Sequence, residues 1–261
     1  VLRAIVLVLL VTISWQSLSW QKSEKQSFTA PYSEQAVNIN ADADDPVWQQ
    51  GHWYPLDQDM IGNYPKSDDF SGRFKVAWDE KYVYLLVEMS DDVLFDQYAD
   101  PLFFYWDDDA LEVFIDEDAS GGPHTFDYNA FAYHIALDNQ AIDIGGQLES
   151  GEPEFLALNS HVKSQWRRDD KRPNGIIWEV ALEIHNDSFD HNKPLDKWQI
   201  SRVSLQEGKV LGFMLAYCDN DGSKVREHFL GSTTITPIAG DKNLGYKTAD
   251  VFSRLTLVKG N

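Results

Sequence analysis

The 261-residue chain reads as an all-β protein, an antiparallel β-sandwich. Three observations carry that reading. Apolar and polar residues alternate with a period of two in several short runs, and turns rich in Asp, Asn and Gly separate those runs. Long stretches with the 3.6-residue period of an amphipathic helix are missing.

The elements follow in order. Residues 21–34 are polar and aperiodic, as in a linker. Residues 37–39 read as a first strand, closed by the acidic turn "ADADDP" and Trp48. Phe74, Val76 and Trp78 alternate with Lys75 and Ala77, Asp79-Glu80-Lys81 supply a polar turn, and residues 82–89 run back, so this segment is a hairpin. Trp106 and three aspartates precede a strand over 111–116, and further strands are expected at 131–137, 176–184, 210–218 and 252–258. In 176–184, Glu179 and Glu183 share a face opposite Trp178, Val180 and Leu182, the pattern of a strand with one wet side. Residues 53–72 and 232–249 are long and irregular, the kind of loop that carries ligands.

Composition narrows the function. Forty-two acidic against 22 basic residues give a formal charge of −20, which repels phosphate backbones and argues against a nucleic-acid partner. A hydrophobic fraction of 43% permits a sizeable core, and most of the nine tryptophans are expected to pack there. The lone cysteine, Cys218, ends an apolar strand and reads as a buried thiol; it cannot form an internal disulfide. Arg3 followed by an apolar run over 4–13 resembles the charged and hydrophobic regions of a signal peptide, and the run is too short to span a bilayer comfortably. The expected organisation is a signal peptide over 1–20, a linker over 21–34 and a sandwich over 35–261. The expected location is periplasmic or secreted, with no membrane span after signal removal.

The acidic turns are candidate cation sites, because calcium takes several oxygen ligands and alternate carboxylates in a turn can supply them. Asp42, Asp44 and Asp45 lie in the first such turn, and Asp219 and Asp221 in "DNDG", where a glycine permits a sharp bend. Solvated acidic turns are the plainer alternative.

Trp106, its acidic turn and "ALEVFID" resemble the family 9 carbohydrate-binding modules, β-sandwiches of the wider DOMON-like group. The resemblance extends from about residue 37 to 257 through "VNINADADDPVW", "AFAYHIALD", "GIIWEVALEI", "VLGFMLAYCDNDG" and "FSRLTLV". It implies non-catalytic binding of an oligo- or polysaccharide, accessory to carbohydrate catabolism, with structural calcium. It makes Trp106 one wall of a sugar clamp, its indole covering the apolar C–H face of a pyranose. It makes Glu112 an acceptor for sugar hydroxyls. His134 falls where the family carries an arginine, and Ala136 where it carries an asparagine. A second tryptophan wall is expected between the last two strands, where this chain has Tyr246 as its only aromatic. Two alternatives stand beside it. A glycosidase would use Asp107–Asp109 with Glu112 or Glu117. A non-covalent haem domain for electron transfer would draw axial ligands from Met89, Met214, His134 and His228.

Overall fold

A computed structural model describes residues 26–259, so the segment read as a signal peptide lies outside the described residues. The strands are β1 (Ser27–Pro31), β2 (Tyr54–Leu56), β3 (Gln58–Asp59), β4 (Phe70–Trp78), β5 (Tyr82–Asp91), β6 (Ala110–Asp116), β7 (Phe131–Ala136), β8 (Ala141–Gln147), β9 (Pro153–Ala157), β10 (Val162–Asp169), β11 (Gly175–Glu183), β12 (Val210–Asp219), β13 (His228–Gly231) and β14 (Ser253–Val258). The larger sheet runs β1-β14-β12-β6-β7-β8-β9, with β13 paired to β12 and β3; the smaller runs β10-β11-β5-β4-β2. All pairings are antiparallel except β1 with β14. This is the predicted sandwich.

The main core lies between the sheets. From β6 it takes Leu111, Val113 and Ile115; from β11, Trp178, Val180 and Leu182; from β12, Phe213, Leu215 and Tyr217. The strand period of two sends the residues between them to the outer faces. On the larger sheet the outer face is not wet. The loop between β13 and β14 folds back over it, burying Phe114, Met214 and Ala216 beneath Ile235, Leu244 and Phe252. That cover gives the face a dry floor and an edge where a cleft can open.

Three sequence expectations change. Residues 37–39 form no strand; Val37, Ala41, Val47 and Trp48 instead cap the outer face of the smaller sheet over Tyr84, Ile177 and Ala181. Glu179 is therefore fully buried rather than wet. It accepts hydrogen bonds from the Asn40 and Ala41 amides at 3.1 and 2.8 Å and from Trp48 Nε1 at 2.9 Å. Burial raises its pKa, and those three donors oppose the rise. Finally, part of the segment read as a linker is β1, which places Phe28 and Ala30 in the inter-sheet core. Strands β2, β3, β8, β9, β10 and β13 were not anticipated, being short or interrupted by polar residues.

Candidate functional site

A cleft of about 330 Å³ opens on the outer face of the larger sheet, lined by Tyr105, Trp106, Glu112, His134, Ile144, Pro153, Phe155, Arg226, Asn243 and Tyr246. Strand register builds its floor. Glu112 on β6 pairs directly with His134 on β7, and Ile144 on β8 with Phe155 on β9, so each pair shares a face. A bulge between Ile144 and Gly146 bends β8 here. Gly145 lets Leu156 pack close at that bend, where a Cβ would sit 2.0 Å from Leu156 Cδ1 and push that side chain aside. A single 3₁₀ turn, Tyr105–Asp107, brings Trp106 to the rim immediately before β6. Its ring centroid lies 5.7 Å from that of Phe155, the planes tilted by 51°. Tyr105 packs in T-shaped contact with both His134 and Phe155, at 4.6 and 5.3 Å, and so braces the imidazole.

The polar end of the cleft is a charged knot. Glu112 Oε1 accepts from Arg226 Nη1 at 3.1 Å and from the Cys218 thiol at 3.1 Å. His134 Nε2 abuts the same oxygen without a hydrogen-bonding angle, and His134 Nδ1 is buried with no partner. Burial alone would push the Glu112 carboxyl up, but His134 and Arg226 outweigh it and hold the carboxyl below its ordinary range. Burial, and then the Glu112 charge, push the Cys218 thiol well up, so the thiol is an inert donor. Arg226 is also stacked over Phe229 at 4.0 Å, which holds its guanidinium flat. The result is a carboxylate, an imidazole and a guanidinium facing an aromatic wall, a set suited to a neutral ligand with one apolar face and several hydroxyls.

All four residues singled out for sugar contact, Trp106, Glu112, His134 and Tyr246, line this one cleft. Sequence reasoning missed Tyr105, Phe155, Arg226 and Asn243. An arginine and an asparagine do reach the cleft, but from the β12–β13 and β13–β14 connections rather than from β7. No spacing in the sequence marks them; only the folding of those connections over the sheet delivers them. Phe155, on a strand the sequence did not signal, adds an aromatic wall beside Trp106. The carboxylates considered for glycoside hydrolysis are engaged otherwise. Asp107 accepts from the Arg226 amide, Asp108 from the Gln97 and Tyr98 amides, and Asp109 from the Phe95 and Asn220 amides. Among the residues considered for haem, Met89 lies in the inter-sheet core and Met214 in the outer-face cluster.

The acidic turns separate into two kinds. Asp42 and Asp44 are exposed, and Asp45 accepts from the Asn38 amide at 3.0 Å, a local turn contact. No group of three candidate metal ligands forms at that turn among the described residues. Asp219 and Asp221 instead join a larger acidic pit where β5 and β12 end together. Asp91, Asp109 and Asp219 bring a carboxylate oxygen each within 4.8 Å of one another; Asp69 and His228 reach Asp219 likewise, and Asp69 and Asp92 reach Asp221. Asp219 is 1% exposed, yet neither of its oxygens has a hydrogen-bond partner, and Asp91 Oδ1 is equally orphaned. Burial, followed by repulsion from Asp91, raises Asp219 to about 8 and Asp109 to about 9, and burial raises Asp91 to about 6 against the opposing Tyr217 hydrogen bond and Arg168 charge. Oxygen donors at this density fit a hard divalent cation.

The fold is a two-sheet β-sandwich that carries an aromatic-walled cleft on its larger sheet. The chain belongs to the family described as carbohydrate family 9 binding domain-like, whose model matches residues 39–260. Among solved structures it is similar to a family 9 carbohydrate-binding module from Caldicellulosiruptor kristjanssonii in complex with cellotriose. The identity is 15%, the TM-score 0.60, and the match covers 90% of this chain and 95% of that one. A glucose complex from the same organism matches at 14% identity and TM-score 0.60, covering 90% and 97%. None of the curated proteins matches the sequence. No helix among the described residues is long and apolar enough to cross a membrane.

Proposed function

We propose that this protein binds a saccharide non-catalytically in the Trp106 cleft and serves, once exported to the periplasm or beyond, as an accessory to polysaccharide breakdown. The observation that carries the reading is the juxtaposition of an aromatic wall, Trp106 and Phe155, with the Glu112–His134–Arg226 knot in one cleft. The indole covers the C–H face of a pyranose while the knot and Asn243 exchange hydrogen bonds with its hydroxyls. The solved relatives in complex with cellotriose and glucose make β-linked glucans and related xylans the first ligands to try. Calorimetric titration of the wild type and Trp106→Ala with cello- and xylo-oligosaccharides tests it. The wild type is expected to bind with modest affinity, and the variant, still folded, not at all. Equal binding by both would move the site elsewhere.

A structural cation, calcium by its ligand chemistry, is a second reading, held in the pit of Asp91, Asp109 and Asp219 with Asp69, Asp92 and Asp221 at its mouth. The orphaned oxygens of buried Asp219 support it. A carboxylate removed from water without a partner costs several kcal/mol, roughly, and a bound cation would supply the partner.

A further inference from the structure

The aromatic surface does not stop at the cleft. Beyond Trp106, in the loop that precedes it, Phe104, Phe103 and Tyr98 extend the aromatic surface as a cluster of touching rings. Centroids are 5.4 Å apart from Trp106 to Phe104, 4.3 Å from Phe104 to Phe103, and 5.4 and 5.7 Å from Tyr98 to Phe103 and Phe104. Phe103 and Phe104 are 51% and 41% exposed, with Leu102 beside them at 37%. Exposed apolar surface that is contiguous in this way marks an interaction site rather than scatter. Phe104 adds a second sign. Its φ is +47°, in the left-handed region that bulky residues avoid. The backbone there is strained, and the strain turns a large ring toward solvent instead of into the core. The loop is braced in that shape. The Phe103 amide donates to the Asp100 carbonyl, the Asp107 amide to the Phe104 carbonyl, and Tyr98 to the Asp108 carboxylate.

We propose that Phe104, Phe103 and Tyr98 form an outer subsite that continues the Trp106 cleft and takes the further sugar rings of one soluble glycan chain. The inference rests on the saccharide reading of the cleft. Continuity with that cleft selects the occupant. A neutral glycan is also compatible with a chain of charge −20, whereas a second copy would be repelled. The ring planes narrow the class further. Touching rings meet at 88°, 59°, 79° and 53°, so they cannot present one flat platform to a crystalline polymer surface. They suit a single flexible chain that turns from one ring to the next.

The test compares a disaccharide with a hexasaccharide of the same series, by calorimetry, on the wild type and on Phe103→Ala/Phe104→Gly. Glycine suits the positive φ, so the variant is not expected to lose its fold. The wild type should bind the hexasaccharide about ten-fold more tightly than the disaccharide, the increment of one or two further stacked rings. In the variant that preference should disappear while disaccharide affinity stays the same, which also certifies the fold. Equal wild-type affinity for both lengths, or a preference that survives in the variant, overturns the outer subsite and leaves the cleft reading intact. Binding of neither sugar overturns both. Sedimentation of the free protein is the control, and a dimer that only the wild type forms would assign the rings to self-association and overturn the proposal.

Discussion

Arg226 Nη1 lies 3.1 Å from Glu112 Oε1, although 114 residues separate the two in the chain. The pair ties the β12–β13 connection to the middle of the larger sheet, and both groups are nearly removed from water. A carboxylate so placed is sustained only by its partners. It is the point at which the stability of the fold and the chemistry of the cleft depend on the same side chains.

Arg226→Ala should therefore cost about 3–5 kcal/mol, because it leaves Glu112 buried with one cationic partner gone. Glu112→Gln/Arg226→Met should recover most of that loss without recovering saccharide affinity. Urea unfolding and calorimetric titration on the three proteins separate the two effects. A stable Arg226→Ala protein with full affinity would show that the pair does neither job.

Calcium should raise the melting temperature of the wild type, by about 5–10 °C at a hundred-fold excess over Kd. Asp219→Asn should abolish that rise. In chelator the same variant should be at least as stable as the wild type, since it removes a buried carboxylate that has no partner. Scanning calorimetry with chelator and with added calcium decides; an unchanged wild-type melting temperature rejects the cation site.

Glu179→Ala should lower stability by about 3 kcal/mol, leaving two backbone amides and the Trp48 indole without their acceptor. Residues 37–48 should then become susceptible to limited proteolysis before the sheets do. If the segment stays protected in the variant, its apolar contacts alone hold it.

Acid should destabilise the protein through two stacked histidines. His161 and His185 lie 3.8 Å apart, both buried. Burial, reinforced by His185, lowers His161 to about 2, and burial, reinforced by Arg202, lowers His185 to about 4. Both are neutral in the fold, whereas the unfolded chain takes up protons below about 6.5. Their contribution is complete above that pH and is lost as pH falls through it, by about 1–2 kcal/mol each between pH 7 and 5. Urea unfolding across that range should show a steeper slope for the wild type than for His161→Gln/His185→Gln; matching slopes would dismiss the pair.

Local pattern determined the sandwich and most, though not all, of the strands that carry its core. Period-two alternation in 74–89, 111–116 and 210–218 is a property of neighbouring residues, and it fixes which side chains turn inward. Trp106, Glu112 and His134 were singled out through the family resemblance, and each lies on or beside a strand whose facing follows from its own residues. What covers an outer face is not local. Glu179 looked like a wet glutamate because nothing in 176–184 reveals that residues 37–48 fold across it. Asn243 reaches the cleft through the β13–β14 connection, which packs onto Phe114 and Met214, Arg226 through the β12–β13 connection, and Phe155 on β9, a strand the sequence did not signal. The acidic pit likewise exists only because β5 and β12, from different sheets, end side by side. Tertiary structure decided these features, because burial and convergence depend on residues far apart in the chain.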